Sequence, residues 1–132
     1  MSDQKVFLSD LLNVKFEFGK TDCWWLAREV FKRFGIELPE YLVCQATFAL
    51  DNNLERMHGI INEKQREWVE LDEPTVPSIM AMQFGLPFYH HIGVYIGENR
   101  FIHTSKARGM VTIERLDGLL YAKRKFYTFN GN

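Results

Sequence analysis

The most regular pattern of apolar and polar positions lies in residues 16–34, FEFGKTDCWWLAREVFKRF. Four apolar residues recur there with the i, i+3, i+4, i+7 spacing of a buried helical face: Ala27, Val30, Phe31 and Phe34. Counting back along the same face reaches Cys23 at its N-terminal end. The pattern therefore predicts an amphipathic helix that begins near Cys23 and ends before Gly35, a favourable residue after a helix C-terminus.

The rest of the chain divides into helices first and strands afterwards. Helices are predicted within residues 1–15 and 41–68, and from about Val69 the period changes. Strands are predicted at 69–71, 79–84, 91–96, 100–104, 111–113 and 125–129. This order predicts an α+β fold with N-terminal helices packed on a C-terminal antiparallel β-sheet. Since neither a repeat nor a linker interrupts the chain, residues 1–132 are predicted to form a single domain.

Composition and charge reduce the number of function classes that fit this chain. The chain has 132 residues with 16 basic and 17 acidic side chains, a net charge of −1, which argues against a nucleic-acid binder. Two cysteines are too few for a disulfide framework, so a reduced protein made in the cytoplasm is expected. The first residues, MSDQKVFLSD, lack the pattern of a secretion signal, and no charge-free stretch is long enough to span a membrane.

Cys23 stands where a helix would alter its chemistry. The amide N–H groups of a first helical turn have no partner within the helix, and the helix dipole is positive there, so a thiolate is predicted to be favoured over a thiol. The same N–H groups can hold an oxyanion formed next to the sulfur. Asp22 or Thr21 is a suitable N-cap. This stretch alone is equally consistent with an inert, buried cysteine.

A histidine pair flanks the predicted hairpin at residues 91–103. A three-residue loop pairs Ile96 with Arg100 and places His103 opposite Gly93, on the face that also carries His91. A two-residue loop would put the two histidines on opposite faces unless a bulge intervened. We predict the same-face arrangement, in which Gly93 leaves room for a substrate or for the helix end.

These residues suggest one catalytic site. Cys23 would attack a carbonyl carbon, His91 would act as general base and then as acid, and His103 would orient the His91 ring. The backbone N–H of Cys23 would help to hold the oxyanion. A zinc site built from the same three residues is the alternative, although no common zinc-ligand spacing supports it.

Three neighbours of Cys23 are candidates for contacts with the substrate or the oxyanion: Asp22, Trp24 and Trp25. The two tryptophans can equally belong to the core, with Trp25 the better candidate for the edge of a groove. The second cysteine, Cys44, lacks a comparable helix start and is interpreted as a core residue.

Two segments together resemble the NlpC/P60 family of cysteine peptidases. They are F-x-F-G-K-T-D-C, followed by a helix and G-I-E-L-P, and the hairpin H-I-G-V-Y-I-G-E-N-R-F-I-H-T-S. The resemblance covers Phe16–Pro39 and Pro77–Phe129. Two departures lie beside the nucleophile: Trp24-Trp25 replaces the usual S-G, and Phe16 or Phe18 stands where a tyrosine is common.

The resemblance implies a papain-like fold and cleavage of peptidoglycan stem peptides, typically at the bond between γ-D-glutamate and a diamino acid. It implies Cys23 as nucleophile, His91 as base and His103 as the third polar member, with neither metal nor cofactor. Family forms with an aromatic residue after D-C and no secretion signal are similar to bacteriophage tail-associated proteins. A virion location and tail-protein partners are therefore expected.

Two other functions compete with this one. The chain could be a structural or assembly component of a tail that keeps the fold with little activity. It could also use the same fold for another acyl chemistry, such as transfer from a thioester or a lipid.

Overall fold

The computed structural model describes residues 7–40, 68–83, 91–117 and 123–129. These ranges contain one α-helix, α1 (Cys23–Arg33), and six strands. The strands are β1 (Trp68–Leu71), β2 (Ser78–Gln83), β3 (His91–Gly97), β4 (Arg100–His103), β5 (Thr112–Arg115) and β6 (Lys123–Phe129). Each strand overlaps a predicted one, and the coarse α+β class is confirmed.

The strands form a single antiparallel sheet in the order β1-β6-β2-β3-β4-β5. Strands β2 to β5 follow one another as a meander, as the sequence predicts. Strand β6 then returns across the sheet and lies between β1 and β2. The three strands β3, β4 and β5 are therefore neighbours, and side chains on them can meet across the sheet.

Helix α1 begins and ends where its sequence specifies. The Asp22 carboxylate accepts a hydrogen bond from the Trp25 backbone N–H at 2.9 Å, so Asp22 is the N-cap. At the other end Gly35 has a φ of 84°, and its N–H donates to the Lys32 carbonyl. The Ile36 N–H donates to the Phe31 carbonyl, which completes a Schellman motif.

The core lies on both faces of the sheet. Buried residues of α1, including Leu26, Ala27 and Val30, form one cluster with Ile92 and Val94 of β3. Four alternate strand residues and Leu116, which follows β5, form a second cluster: Met80, Met82, Phe101, Leu116 and Phe126. Since successive side chains of a strand point to opposite faces, α1 packs on one face and the second cluster lies on the other.

The N-terminal helix predicted for residues 1–15 is wrong for the part that the structure describes, from residue 7 onward. Only a 3₁₀ turn at Ser9–Leu11 forms there, and Asn13 follows with a φ of 71°. The Asn13 N–H donates to the Val111 carbonyl and the Phe16 N–H donates to the Gly109 carbonyl. These bonds tie the segment before Cys23 to the connection between β4 and β5, which a helix could not do.

The helices predicted at 41–68 lie outside the described residues, except for Trp68, which is the first residue of β1. Cys44 also lies outside them. Among the helices that the structure describes, none has the length and apolar character needed to cross a membrane. The single-domain prediction for residues 1–132 stays a prediction.

Candidate active site

Cys23 is the first residue of α1 and is half-buried. Three amide N–H groups act on its sulfur, those of Cys23 and Trp24 in the first helical turn and that of Ile92 in β3. The Ile92 contact places the sulfur at the beginning of β3, one residue along the chain from His91. The helix start and the histidine strand therefore meet here, although Cys23 and His91 are 68 positions apart in the sequence.

The predicted thiolate is wrong for the resting protein. Burial raises the pKa of Cys23 to about 12, and the negative charge of Asp22 adds to the increase. The three N–H groups lower the pKa, as helix geometry leads one to expect, but their effect is smaller. Cys23 is therefore a protonated thiol at neutral pH, and its activation depends on a base.

Asp22 uses both carboxylate oxygens to hold the backbone. Oδ1 accepts from the Trp25 N–H at 2.9 Å, and Oδ2 accepts from the Gly19 N–H at 3.0 Å. The residue is only 6% exposed. Gly19 has a φ of 80° and lies in the tight turn that precedes the helix. Asp22 thus fixes both the helix start and the turn leading to it, a structural role that the prediction of a substrate contact did not include.

The two tryptophans after Cys23 lie in different places. Trp24 is buried, its indole N–H donates to the Pro39 carbonyl at 2.9 Å, and its ring packs edge-on against Trp68. Trp25 is half-buried and lines a pocket of about 140 Å³ on the outer side of α1. Of the two, Trp25 is the one accessible to a ligand in this structure.

The hairpin achieves the predicted same-face register by a different route. His103 lies opposite Gly93, as predicted, but Arg100 pairs with Gly97 rather than with Ile96. The loop has two residues, Glu98 and Asn99, both with positive φ, as a type I′ turn requires. A bulge between Tyr95 and Gly97 supplies the missing residue and restores the histidines to one face.

Gly93 is required by His103, rather than by a substrate. A Cβ atom at Gly93 would lie 3.0 Å from His103 Cβ, and 3.1 Å from both the Ile102 carbonyl oxygen and Met82 Cε. The space that the sequence analysis assigned to a substrate or a helix end is therefore filled by the cross-strand neighbours. Gly93 allows the His103 side chain to lie directly over β3.

The two histidines are buried and hydrogen-bonded to each other. His91 Nε2 lies 2.8 Å from His103 Nδ1, and the side chains are 7% and 1% exposed respectively. His103 also packs against the ring of Phe101, with a centroid distance of 4.7 Å. This contact holds the plane of the His103 ring.

A carboxylate on β5 extends the chain of hydrogen bonds beyond the histidines. His103 Nε2 lies 2.8 Å from Glu114 Oε2. Arg108 contacts both oxygens of the same carboxylate, with Nε 2.7 Å from Oε2 and Nη2 3.1 Å from Oε1. The resulting order is His91–His103–Glu114–Arg108.

The comparison with protein families decides the family of this chain. A model described as the NlpC/P60 family matches residues 13–129. The chain belongs to the NlpC/P60 family. The comparison with curated proteins gave no match. Family membership indicates a hydrolase of the cysteine peptidase type that acts in the cell wall.

The NlpC/P60 chain brings the Cys23 sulfur to the strand that carries His91. The groups that act on the sulfur include the backbone N–H of Ile92, the residue that follows His91. Strand alternation also places His91 on the face opposite Ile92. The contact between the sulfur and the His91 ring stays a prediction. Catalytic hydrogen bonds often tighten only when substrate binds.

The zinc alternative receives no support from the described ranges. They contain no group of three or more histidine, cysteine, aspartate or glutamate side chains arranged to hold a metal ion.

Glu114 is the site residue that sequence reasoning missed. It lies in a short strand with the pattern Thr-Ile-Glu-Arg, where a charged residue normally indicates a solvent-facing position. The missing information was the register between β4 and β5. In the structure Glu114 pairs with Phe101 and therefore faces the side chain of His103. Strand alternation alone puts Phe101 and His103 on one face, and only the pairing of Phe101 with Glu114 adds Glu114 to that face.

Proposed function

We propose that this chain is a cysteine endopeptidase or amidase that hydrolyses peptidoglycan stem peptides, at bonds of the γ-D-glutamyl to diamino-acid type, through Cys23, His91 and His103. The observation that carries the proposal is the 2.8 Å contact between His91 Nε2 and His103 Nδ1. It is supported by Cys23 at a helix N-terminus, whose sulfur meets the backbone N–H of Ile92. A buried histidine pair of this geometry can orient a general base.

The proposed reaction starts from the neutral thiol. As the Cys23 sulfur attacks the carbonyl carbon, its proton moves to His91, and the carbonyl oxygen becomes an oxyanion near the Cys23 backbone N–H. The intermediate then collapses, the C–N bond breaks, and His91 gives the proton to the leaving amine. A thioester remains on Cys23. Water attacks the thioester with His91 again as base, which releases a carboxylic acid and restores the thiol.

Proton transfer and attack are coupled in this scheme because the pKa of Cys23 is raised to about 12. A preformed thiolate would attack without a base, whereas a thiol of such high pKa is a poor nucleophile until its proton is taken. The scheme therefore depends strongly on His91.

Trp25 is the proposed substrate-binding residue among the three neighbours of Cys23. The pocket that it borders is otherwise lined by Arg28, Glu29, Lys32, Glu37 and Leu38. Side chains of both charges suit a stem peptide, which carries free carboxylates and amines. Asp22 and Trp24 would act indirectly, by holding the turn and the helix in place.

We also propose that the protein acts as part of a phage tail, made in the cytoplasm and carried to the cell wall by the virion. This proposal rests on the likeness of the D-C-W pattern, Asp22-Cys23-Trp24, to phage tail-associated forms of the family. A catalytically weak tail component is the second candidate. It is favoured by one observation, the pKa of Cys23, which burial and the charge of Asp22 raise to about 12.

Mass spectrometry of purified muropeptides tests the proposal. Wild-type protein should release products that differ from the substrate by cleavage of one stem-peptide bond, and Cys23→Ala should release none. Tail assembly that proceeds equally with both proteins, together with no cleavage by the wild type, would instead establish the structural role.

A further inference from the structure

We infer that Glu114, held by Arg108, is a positioning residue that selects the tautomers of both histidines and so leaves His91 Nδ1 able to take the Cys23 proton. The inference rests on the proposed function in assigning His91 as the base. The proton positions themselves follow from the contacts among four side chains.

The first step concerns His103. An ionised carboxylate can only accept hydrogen bonds, so the 2.8 Å contact to Glu114 Oε2 requires a proton on His103 Nε2. Burial lowers the pKa of His103, which keeps its ring neutral at pH 7. A neutral imidazole carries one proton, and His103 Nδ1 is therefore an acceptor.

The second step carries this choice to His91. Because His103 Nδ1 is an acceptor, the partner at 2.8 Å, His91 Nε2, must be the donor. In neutral His91 the other nitrogen, Nδ1, then holds a lone pair. A base needs such a lone pair to accept the thiol proton.

Arg108 makes the carboxylate an orienting group rather than a source of charge. Its two contacts to Glu114 fix the plane of the carboxylate in a bidentate arrangement. Its positive charge also lowers the pKa of His103, against the increase caused by Glu114. His103 thus gains an acceptor for its proton without becoming an imidazolium.

The backbone holds Arg108 in place. The Arg108 N–H donates to Ser105 Oγ at 3.1 Å, and the Gly109 N–H donates to the Ser105 carbonyl at 2.8 Å. The Gly109 carbonyl accepts from the Phe16 N–H, in the segment that leads to Cys23. The loop that carries Arg108 is therefore fixed to the nucleophile side of the site.

Without the carboxylate, a second arrangement fits the same heavy-atom distances. His103 would carry its proton on Nδ1 and donate to His91 Nε2, and neutral His91 would then carry its proton on Nδ1. That tautomer has no lone pair for the Cys23 proton. The wrong tautomer of a catalytic histidine is known to abolish most activity in triad enzymes.

The test compares Glu114→Gln with Arg115→Gln in the full chain. An amide has both a donor and an acceptor, so Glu114→Gln no longer compels a proton on His103 Nε2. Arg115 is the matched control because it is the next residue of β5, is exposed, and pairs with Asp117 away from the histidines. Long-range proton–nitrogen NMR correlations of the ring nitrogens report the tautomer of each histidine, and muropeptide cleavage reports kcat and KM separately.

In the wild type and in Arg115→Gln we expect both histidines to be protonated on Nε2. In Glu114→Gln a second tautomer should appear at both rings, and kcat should fall by about 10- to 100-fold with KM unchanged. A wild-type His103 protonated on Nδ1 would overturn the inference, as would tautomers unchanged by Glu114→Gln. The NMR measurement needs no substrate, so a wild type that cleaves nothing would refute the proposed function while the tautomers still decide the role of Glu114.

Discussion

The two halves of the candidate site, the start of α1 with Cys23 and the strands with the two histidines, differ in how their surroundings act on the reactive groups. At the start of α1, a sulfur lies beside amides that favour its charge, yet burial and Asp22 keep it a neutral thiol. On β3 and β4, two buried histidines are hydrogen-bonded to each other, and His103 is also hydrogen-bonded to Glu114 of β5. Cys23 thus rests as a neutral thiol, whereas the two histidines are already held by hydrogen bonds.

This difference shows where activation must come from. A helix N-terminus stabilises a charge by a limited amount, on the order of 1 kcal/mol, which burial easily exceeds. A base with its lone pair in position removes the need for a charged resting state. The histidine side should therefore dominate the sensitivity of the enzyme to mutation, apart from the nucleophile itself.

The largest expected effect is the loss of activity when the base His91 is removed, which should exceed the loss when its orienting residue His103 is removed. His91→Ala should lower kcat/KM by roughly 10²- to 10⁴-fold, because general-base catalysis is lost. His103→Ala should cost less, since the base remains but is no longer oriented. The measurement is the rate of muropeptide cleavage for both variants, with folding checked by circular dichroism. Equal losses from the two would mean that the histidines act as one unit.

Gly93→Ala should lower the stability of the strands that carry the two histidines, through steric contact alone. The added methyl would meet His103 Cβ at 3.0 Å and a backbone oxygen at 3.1 Å, so unfolding free energy should fall by about 1–3 kcal/mol. Urea denaturation measures the loss. In a Met82→Ala background, whose own loss of stability is measured separately, Gly93→Ala should cost less but still lower the unfolding free energy, because Met82 supplies one of the three close contacts. No cost of Gly93→Ala in that background would show that His103 is not constrained by Gly93.

Asp22 offers a way to change the charge beside the nucleophile. Asp22→Asn keeps an acceptor for the Trp25 N–H, although its amide nitrogen cannot accept from the Gly19 N–H. It removes the charge that, after burial, raises the pKa of Cys23, so that pKa should fall. Asp22→Ala should also lower stability by about 1 kcal/mol through loss of the cap. A pH titration of Cys23 alkylation and a thermal melt distinguish the two changes. An unchanged pKa in Asp22→Asn would remove Asp22 from the electrostatics of the sulfur.

The smallest expected effect is a loss of stability in mild acid. The folded pKa of His103 is lowered from its usual 6.5, so the unfolded chain takes up a proton more readily than the folded one. The stabilising contribution is present above pH 6.5 and is lost as the pH falls toward the folded value. His103→Gln should show a smaller decrease in unfolding free energy over that range, measured by denaturant titration at several pH values. An identical decrease would assign it to other groups.

Local signals in the sequence predicted the helix well, since the Asp22 cap, the apolar spacing and Gly35 all act within a few residues. The placement of the two histidines on one face was predicted correctly, but from a three-residue loop that does not form. A bulge in β3 and an extra loop residue have the same effect on which face a side chain occupies. The state of Cys23 and the role of Glu114 depend on burial and on pairing across strands. No local pattern encodes either of these.

The most direct test of the site asks whether its two halves act on each other. Iodoacetamide alkylation of Cys23 is followed by peptide mapping in the wild type and in His91→Ala at neutral pH, with the rate at Cys44 as internal reference. We expect alkylation of Cys23 to be slower in His91→Ala and that of Cys44 to be unchanged, because His91 takes the thiol proton as the sulfur reacts. The same Cys23 rate in both proteins would contradict a shared site and leave the histidines without a nucleophile.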